Sequence, residues 1–388
     1  MTHVFILASK GIPAKYGGFE TFADRLVSGK VNNNIKYHVS CMDNDEKHFE
    51  YNGADCFNVR VGLWGAAGRI LHVSRALSIV EAWKAKHPDT DTVVYVLGCR
   101  IGPLMKGHYN KLKKLGARVY VNPDGLEWKR AKWNAILKKF LHYCEGCLVK
   151  NSDLAICDSV NIEKYINESY PGKKTTFVAY GADIEPSGAL DDELKKWLES
   201  KAISDKGYYL IVGRFVPDNN YETMIREFMK SKTKRDLVII SNYEKNKFYE
   251  ELKASTGFDK DERIKFVGTV YEQALLKKIR ENAHAYIHGH EVGGTNPSLL
   301  EALGSTNLNL ILNVGFNTEV ALDSALTFDK SAGSLAGLIN EVDDYEENIL
   351  KEYGDKAKDR IKTAYSWAQI IETYERIFLD NKSSENHE

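Results

Sequence analysis

Short apolar runs alternate with amphipathic stretches along almost the whole chain, which predicts strands that are each followed by a helix. The first apolar run, residues 4–8, is typical of a strand buried on both faces of a parallel sheet. Up to residue 180 the pattern predicts further strands near residues 35–42, 57–62, 92–97, 117–121, 153–157 and 175–179, and helices near 20–29, 69–86, 103–115, 129–149 and 160–169.

The alternation restarts at residue 208, after a polar stretch (180–205) that is typical of a connection between domains. Here the pattern predicts strands near residues 208–213, 237–241, 264–267, 285–288 and 308–313, with helices between them and only helices afterwards. Two successive runs of this kind predict an α/β protein with two doubly wound parallel sheets.

The stretch from His288 to Ala302 is predicted to form the end of a strand, a glycine-containing loop and the start of a helix. Asn296 is a favoured N-cap, and Pro297 follows at the first helical position. Free amides and the positive end of a helix predict a phosphate or diphosphate site, and a carboxylate one turn inside the helix can accept hydrogen bonds from sugar hydroxyls. The residues concerned are Gly293, Gly294, Thr295, Asn296 and Glu301. An ordinary connection with a surface glutamate explains the same pattern, so both interpretations stand on this segment alone.

Polar residues also follow predicted strands of the first half, at the sheet edge where ligands usually bind. The loop of residues 9–19 leads from the first strand into a helix and carries Lys15, Gly17 and Gly18, which predicts a ligand-binding turn. Three carboxylates after later strands are candidates for acid–base or substrate-holding roles: Asp124, Glu127 and Asp158. Pro-Asp-Gly is also a common turn, so a structural role for Asp124 is equally open.

The 388 residues suffice for two domains, and 43% hydrophobic and 28% charged residues are typical of a globular protein. The net charge of −1 conceals an asymmetry, because residues 1–180 carry 26 Lys and Arg against 17 Asp and Glu. The first half is therefore expected to face an anionic partner. Six scattered cysteines, no signal peptide and no apolar run of membrane-spanning length predict a cytoplasmic protein.

The segment 129–149 is predicted to be a basic amphipathic helix. Its apolar positions, Ala131, Ile136, Leu137, Phe140 and Leu141, can share one face while lysines border them. Trp133 strengthens the similarity to a membrane-surface helix, although a packed helix with a solvated basic face is the commoner case. Nucleic acid is not an expected partner, because no recognised binding motif is present.

No metal is expected from the sequence. The Asp89-Thr-Asp91 spacing, found in metal-binding transferases, lies in a polar turn before a strand rather than after one. Motifs such as His-Glu-x-x-His, a P-loop and a nucleophile elbow are missing from the sequence.

Three segments together resemble glycosyltransferase family 4: Gly17-Gly-Phe-Glu20, Val212-Gly-Arg214 and Gly293-Gly-Thr-Asn-Pro-Ser-Leu-Leu-Glu301. The segments 11–21 and 122–130 further resemble bacterial rhamnosyltransferases of capsule and cell-wall polysaccharide synthesis. The resemblance implies a GT-B fold, with two Rossmann-like domains that face a cleft and close over it. It also implies an acceptor-binding domain over 1–182, a nucleotide-sugar domain over 183–364, and a last helix, 365–380, that packs back on the first domain.

The resemblance also assigns roles to particular residues. Glu301 matches the family's ribose-binding glutamate, and Arg214 matches its diphosphate-binding arginine. The chain departs from the pattern twice, since Gly293 stands where a first glutamate is usual and Asn219 where a lysine is usual. With the lysine missing, we expect Arg214, the loop amides and Lys10 or Lys15 to neutralise the leaving diphosphate.

The expected reaction is the retaining transfer of L-rhamnose from dTDP-β-L-rhamnose, without cofactor or metal, to a polyprenyl-diphosphate-linked glucose or N-acetylglucosamine. The family's acceptors predict an enzyme at the cytoplasmic face of the membrane, against an anionic surface. Three alternatives stay open: transfer from a UDP-hexose, a sugar-nucleotide epimerase, and a sugar-nucleotide-binding scaffold without enzymatic activity.

Overall fold

The computed structural model describes residues 1–14, 17–62, 65–130, 133–188, 190–204, 207–244 and 247–380. The chain divides into two compact units. The first unit comprises Met1–Tyr180 together with the segment from Trp367 onward, and the second comprises Gly181–Ser366. These boundaries lie within a few residues of the predicted ones.

Among the described residues, the first unit is built on an eight-stranded sheet of order β3-β4-β2-β1-β5-β6-β7-β8. Its strands are β1 (Thr2–Leu7), β2 (Ile35–Asp43), β3 (His48–Tyr51), β4 (Ala54–Arg60), β5 (Asp91–Leu97), β6 (Arg118–Asn122), β7 (Leu154–Cys157) and β8 (Thr175–Phe177). Its helices are α1 (Gly18–Ser28), α2 (Gly65–Lys86), α3 (Met105–Lys114), α4 (Ala135–Lys150) and α5 (Val160–Ser169). The central strands are buried on both faces, as the apolar runs predicted.

Strand β3 pairs with β4 in the antiparallel sense, whereas the other pairs of this sheet are parallel. The sequence analysis did not predict strand β3. The turn between the two strands is Asn52-Gly53, where both residues have positive φ angles of 47° and 75°. Asn-Gly is the dipeptide that the tight turn of a β-hairpin favours, so the signal for this hairpin was present.

The prediction of one helix over 129–149 was wrong at its start. Glu127–Lys129 form a single 3-10 turn, and α4 begins at Ala135. Asn134 precedes it in an extended conformation, and its side chain accepts a hydrogen bond from the amide of Leu137 at 2.9 Å. This N-cap fixes the start of the helix. Ala131, one of the residues assigned to the apolar face, lies outside the described residues.

The described part of the second unit has a six-stranded parallel sheet of order β11-β10-β9-β12-β13-β14. Its strands are β9 (Tyr208–Val212), β10 (Asp236–Ile240), β11 (Ile264–Gly268), β12 (Ala285–His288), β13 (Asn309–Leu312) and β14 (Leu326–Phe328). Its helices are α6 (Asp191–Ser200), α7 (Tyr221–Lys230), α8 (Lys247–Thr256), α9 (Gln273–Asn282), α10 (Pro297–Leu303), α11 (Gly315–Ala321), α12 (Ser334–Val342) and α13 (Glu347–Ala364).

Two elements of this unit correct the sequence analysis. The segment predicted as a connection contains α6, whose Leu194 and Leu198 are buried one turn apart against the sheet. The end of the chain is not entirely helical, because β14 adds an edge strand of three residues. Such a short strand leaves too few positions for an apolar pattern to be recognised.

The last helix, α14 (Trp367–Leu379), belongs to the first unit. The hydroxyl of Tyr374 lies 3.2 Å from that of Tyr95 in β5, and the carboxylate of Glu375 accepts hydrogen bonds from the amides of Val31 and Asn32. Arg118 donates to the carbonyl of Phe378 at 2.9 Å. These hydrogen bonds hold α14 against the first unit.

Candidate active site

The loop between β12 and α10 has the local structure that its sequence predicted. Asn296 is the N-cap, and its side-chain oxygen accepts a hydrogen bond from the amide of Ser298 at 2.9 Å. Pro297 is the first residue of α10. Gly293 has a φ angle of 142°, which side chains rarely adopt, and the space beside it is open. Gly294 and Thr295 are buried within the loop.

One carbonyl ties this loop to the neighbouring strand. The carbonyl of Val212, the last residue of β9, accepts hydrogen bonds from the hydroxyls of Tyr286 at 3.1 Å and Ser298 at 3.0 Å. Arg214 follows two residues later and is exposed, and its side chain makes no hydrogen bond or ion pair with the described residues. Arg214, the predicted diphosphate-binding residue, and the first turn of α10 therefore both lie at the carboxyl end of β9.

Glu301, the predicted ribose-binding carboxylate, forms an ion pair with Arg280 of α9 at 2.6 Å. The side chain of Arg280 is only 4% exposed, whereas that of Glu301 is 35% exposed. The ion pair holds Oε2 of Glu301. Because the carboxylate is still partly open to solvent, it can accept hydrogen bonds from a ligand while Arg280 fixes its orientation.

Asn219, at the position where a lysine is usual, is 4% exposed. Its side-chain amide donates to the carbonyl of Arg214 at 2.8 Å. In this structure Asn219 therefore acts on the backbone that carries Arg214. It supplies no charge in place of the lysine.

Glu291 is also anchored near the loop. It accepts hydrogen bonds from Asn220 at 3.1 Å and Lys330 at 2.6 Å. Burial raises the pKa of Glu291, but these hydrogen bonds outweigh that effect and hold its pKa below the ordinary value. The two contacts hold the Glu291 carboxylate in place near the start of the loop.

Two histidines that the sequence analysis did not select stand at the beginning of this loop. The rings of His288 and His290 stack at 4.3 Å with an interplanar angle of 10°. Burial lowers the pKa of His288 to about 3, so its ring is neutral at physiological pH. His290 lies over Gly213, where a Cβ atom would come within 3.0 Å of its Cε1. The sequence His288-Gly-His290 at the end of a predicted strand was the signal from which these two histidines could have been selected.

In the first unit, Asp124 and Asp158 follow the paired parallel strands β6 and β7. Both therefore lie at the carboxyl edge of the sheet, as predicted. Asp124 has a φ angle of 63°, and its Oδ1 accepts from the amide of Gly125 at 2.8 Å. Asp158 is 5% exposed.

Glu127 is engaged within its own loop. Its carboxylate forms an ion pair with Arg130 at 2.5 Å and accepts a hydrogen bond from the indole of Trp133 at 3.3 Å. These contacts use both oxygens, which favours a role in shaping the loop over direct catalysis.

The glycine turn before α1 is occupied by a carboxylate. Oε1 of Glu20 accepts a hydrogen bond from the amide of Lys10 at 2.7 Å, and a Cβ atom at Gly17 would come within 1.9 Å of Oε2. Gly17 is the N-cap of α1 and Gly18 its first residue. A phosphate at this turn would meet the negative charge of Glu20. Lys15, the third residue predicted here, lies outside the described residues.

Across the described ranges, no three His, Cys, Asp or Glu side chains are placed so that they could share a metal ion. Asp91 of the Asp89-Thr-Asp91 spacing forms an ion pair with Arg118 at 2.8 Å, which is a structural role. Within the same ranges, no helix combines the length and the hydropathy that crossing a membrane requires.

Solved structures show the class of fold to which these units belong. The sucrose-phosphate synthase of Thermosynechococcus elongatus matches with a TM-score of 0.74 at 13% identity, over 97% of this chain and 98% of that one. The Anabaena protein HepE, solved in complex with UDP and glucose, matches with a TM-score of 0.69 at 12% identity, over 97% and 99% of the two chains. The chain therefore has the GT-B fold, as predicted.

Comparison with known sequences gives one matching protein family and one curated relative. Residues 1–183 match a protein family described as a domain of unknown function, DUF1972. Over 241 residues the chain is 25% identical to an uncharacterised glycosyltransferase of Methanocaldococcus jannaschii, a match that covers 60% of this chain. It spans 59% of the length of that curated relative.

Proposed function

We propose that this protein is a glycosyltransferase that binds a nucleotide-sugar donor on its second unit and a sugar acceptor on its first. The observation that carries the proposal is the partly exposed Glu301 carboxylate, held by buried Arg280, in a helix tied through Val212 to the strand end that precedes Arg214. A fixed carboxylate suits a ribose diol, and an unpaired guanidinium suits a diphosphate. The relative from M. jannaschii carries the same activity in its name.

The donor is proposed to lie along the β12–α10 loop. Gly293 leaves open space for close approach of the donor, Gly294 and Thr295 follow it, and Asn296 fixes the turn that leads to Glu301. Arg214 neutralises the diphosphate, with its backbone held by Asn219. The leaving diphosphate gains negative charge during transfer, so a preorganised cation there lowers the barrier.

We propose dTDP-β-L-rhamnose as the donor, because of the resemblance of segments 11–21 and 122–130 to bacterial rhamnosyltransferases. The HepE complexes contain UDP, or UDP-glucose, which makes a UDP-hexose the second donor to test. The reaction is proposed to retain the anomeric configuration and to need no metal. In such a displacement a phosphate oxygen of the donor can take the acceptor proton, and Asp124 and Asp158 would position the acceptor hydroxyl.

The proposed acceptor is a polyprenyl-diphosphate-linked sugar at the inner face of the membrane. Helix α4 offers a surface for this location, which includes only part of the apolar face that the sequence predicted. Leu137 and Leu141 are half-buried, while Ile136, Phe140 and Tyr143 are 82%, 44% and 60% exposed and form a stripe at helical spacing. Exposed Lys139 lies next to this apolar stripe. An apolar stripe bordered by positive charge suits an anionic membrane surface.

Titration calorimetry tests the donor site directly. Wild-type protein, with excess EDTA present, is titrated with dTDP, UDP, dTMP and UMP. The proposal requires that a nucleoside diphosphate binds clearly more tightly than its monophosphate, and that EDTA does not abolish the binding. Equal affinity for diphosphate and monophosphate, or no binding of any nucleotide, would contradict it.

A further inference from the structure

The main chain at His290, in the loop after β12, is fixed by hydrogen bonds at this residue and the next. The carbonyl of His290 accepts a hydrogen bond from the side-chain amide of Asn317 at 3.0 Å. The following amide, that of Glu291, donates to the carbonyl of Asp218 at 3.2 Å. Asn317 is fully buried, and its side-chain amide also donates to the carbonyl of Leu312 at 3.0 Å. The backbone that carries the imidazole of His290 is therefore anchored to two other segments of the second unit.

The imidazole ring of His290 is itself placed by packing. It stacks on the ring of His288 at 4.3 Å with an interplanar angle of 10°. A Cβ atom at Gly213 would lie 3.0 Å from Cε1 of His290 and 3.5 Å from its Nε2, so a side chain at this position would crowd the ring. His288 is 1% exposed, whereas His290 is partly exposed. The ring that a ligand can reach therefore lies beside the residue that precedes Arg214.

The segment that supports Arg214 also packs against this histidine. The side-chain amide of Asn219 donates to the carbonyl of Arg214, and Asn219 supplies no charge. The side chain of the next residue, Asn220, donates to the carbonyl of Gly289 at 2.9 Å. A Cβ atom at Gly289 would come within 2.7 Å of the carbonyl oxygen of Asn219, so the two segments are in direct contact. His290 is thus a basic side chain placed next to the segment that holds the backbone of Arg214.

Two of the groups next to the His290 ring bear on the charge around it. Burial lowers the pKa of His288 to about 3, so the ring stacked on His290 is neutral and does not repel a positive charge. Glu291, the next residue, forms an ion pair with Lys330 at 2.6 Å, which balances its negative charge. An imidazole carries one N–H group when neutral and two when protonated, so His290 can donate a hydrogen bond to an anion in either state.

We propose that His290 binds the outer phosphate of the nucleotide-sugar donor together with Arg214, with its imidazole N–H as the hydrogen-bond donor. This inference rests on the proposed function and deepens it, because it names a second group that binds the leaving diphosphate. The ring lies beside the strand end that carries Arg214, which places both groups at the same phosphate. Because packing and backbone hydrogen bonds already fix the ring, little conformational entropy is lost when the donor binds.

This contact acts on the charge that develops during transfer. The bond between the anomeric carbon and the outer phosphate oxygen breaks, and its electron pair stays on that oxygen. The acceptor oxygen bonds to the anomeric carbon and its proton goes to the phosphate, so His290 keeps its own proton throughout. Negative charge therefore grows on the phosphate that His290 contacts, and a hydrogen-bond donor already in position stabilises it without reorganisation.

Titration calorimetry of the full chain with dTDP, UDP, dTMP and UMP tests this contact. His290→Phe keeps a ring that can stack on His288 and removes the hydrogen-bond donor. We expect it to weaken binding of both nucleoside diphosphates about 10-fold, with little change for the monophosphates. His290→Gln, which restores an N–H donor without the stacked ring, should recover part of the loss. His87→Phe is the matched control, because exposed His87 of the first unit also stacks on a ring, that of Trp83, at 4.3 Å.

The wild-type titration separates this inference from the proposed function. If wild-type protein binds no nucleoside diphosphate, or binds it no more tightly than the monophosphate, the proposed function is contradicted and this inference with it. If wild type prefers the diphosphate and His290→Phe retains that preference, only the role of His290 is overturned. An equal loss for diphosphates and monophosphates would overturn it too, since His290 would then shape the loop without contacting the outer phosphate. Thermal unfolding checks the fold of each variant, and His290→Ala, which adds no bulk, gives the same comparison if His290→Phe is unstable.

Discussion

The guanidinium of Arg280 and the carboxylate of Glu301 form an ion pair of 2.6 Å, with the arginine almost completely buried and the glutamate one-third exposed. The two residues come from the consecutive helices α9 and α10. Because the side chain of Arg280 is buried and cannot move freely, the ion pair holds the Glu301 carboxylate in one orientation. The pair links the stability of the second unit to the geometry of the proposed ribose contact.

Glu301→Gln should weaken nucleotide binding by roughly 10-fold, because a neutral amide forms weaker hydrogen bonds with a ribose diol than a carboxylate does. It should also lower the free energy of unfolding by on the order of 1–3 kcal/mol, since Arg280 loses its counter-charge. Calorimetric titration and urea unfolding measure the two effects. Glu222→Gln, which removes an exposed helical ion pair with Arg226, is the matched control. Wild-type affinity of the Glu301→Gln variant would show that the ribose lies elsewhere.

Arg214→Gln should lower the affinity for a nucleoside diphosphate by roughly 10- to 100-fold, the loss expected when a charge-assisted contact is removed. Affinity for the monophosphate should change little if Arg214 contacts mainly the outer phosphate. The ratio of dTDP to dTMP affinity is the measurement, and Arg226→Gln is the control. A parallel loss for both nucleotides would place Arg214 outside the diphosphate contact.

Asp158→Asn should mainly lower turnover, on the order of 100-fold, if its carboxylate positions the acceptor hydroxyl. The KM for the donor should stay near the wild-type value, because the donor is held by the other unit. Asp124→Asn is measured alongside, and Asp89→Asn, an exposed turn residue, is the control. Wild-type kinetics in both the Asp124 and Asp158 variants would refute this placement of the acceptor.

Local features of the site were predictable from the sequence, and tertiary ones were not. The N-cap at Asn296 followed from its own side chain and the proline after it. The ion pair between Arg280 and Glu301 joins two helices, and no motif connects residues 21 positions apart on different elements.

In the fold, too, some elements were predictable from the local sequence and others were not. Long apolar runs located the central strands, because burial on both faces leaves a pattern that is easy to recognise. The short β14 leaves almost no such pattern. The start of α4 was misplaced because the basic sequence before Asn134 is compatible with a helix, and the N-cap decides where the helix begins.

Ile136→Ser combined with Phe140→Ser should reduce binding to vesicles that contain phosphatidylglycerol by about 10-fold or more, because each side chain loses part of the roughly 1.5–3 kcal/mol that full burial contributes. Flotation of the protein with vesicles, at low and high salt, measures this. Val31→Ser removes an apolar residue that is 70% exposed elsewhere on the first unit and is the control. Unchanged flotation of the double variant would exclude α4 as the membrane-binding surface.

Stability should decrease as the pH falls below about 6.5, the usual pKa of an unfolded histidine. Burial lowers the pKa of His72 to about 4 and that of His38 to about 4 in the folded protein. The unfolded chain therefore takes up protons between these values while the folded chain does not, and the stability present above pH 6.5 is lost towards pH 4.

His72→Gln isolates one of these contributions. Between pH 7 and pH 5, this variant should lose about 2 kcal/mol less of its free energy of unfolding than wild type does. Urea unfolding at the two pH values provides the comparison, and His48→Gln, at an exposed position, should behave like wild type. An identical pH dependence of His72→Gln and wild type would mean that His72 titrates normally in the folded state.

The most direct test of the central claim is the mass of the product formed from a polyprenyl-diphosphate-linked glucose or N-acetylglucosamine in detergent. dTDP-rhamnose, UDP-glucose and UDP-N-acetylglucosamine are offered separately, with excess EDTA and with Glu301→Gln as the comparison. The proposal predicts a deoxyhexose increment on the lipid with dTDP-rhamnose only, reduced in the variant. An increment from a UDP-sugar would keep the transfer reaction and overturn the rhamnose assignment. If no donor gives an increment with either acceptor, the result contradicts the proposed reaction.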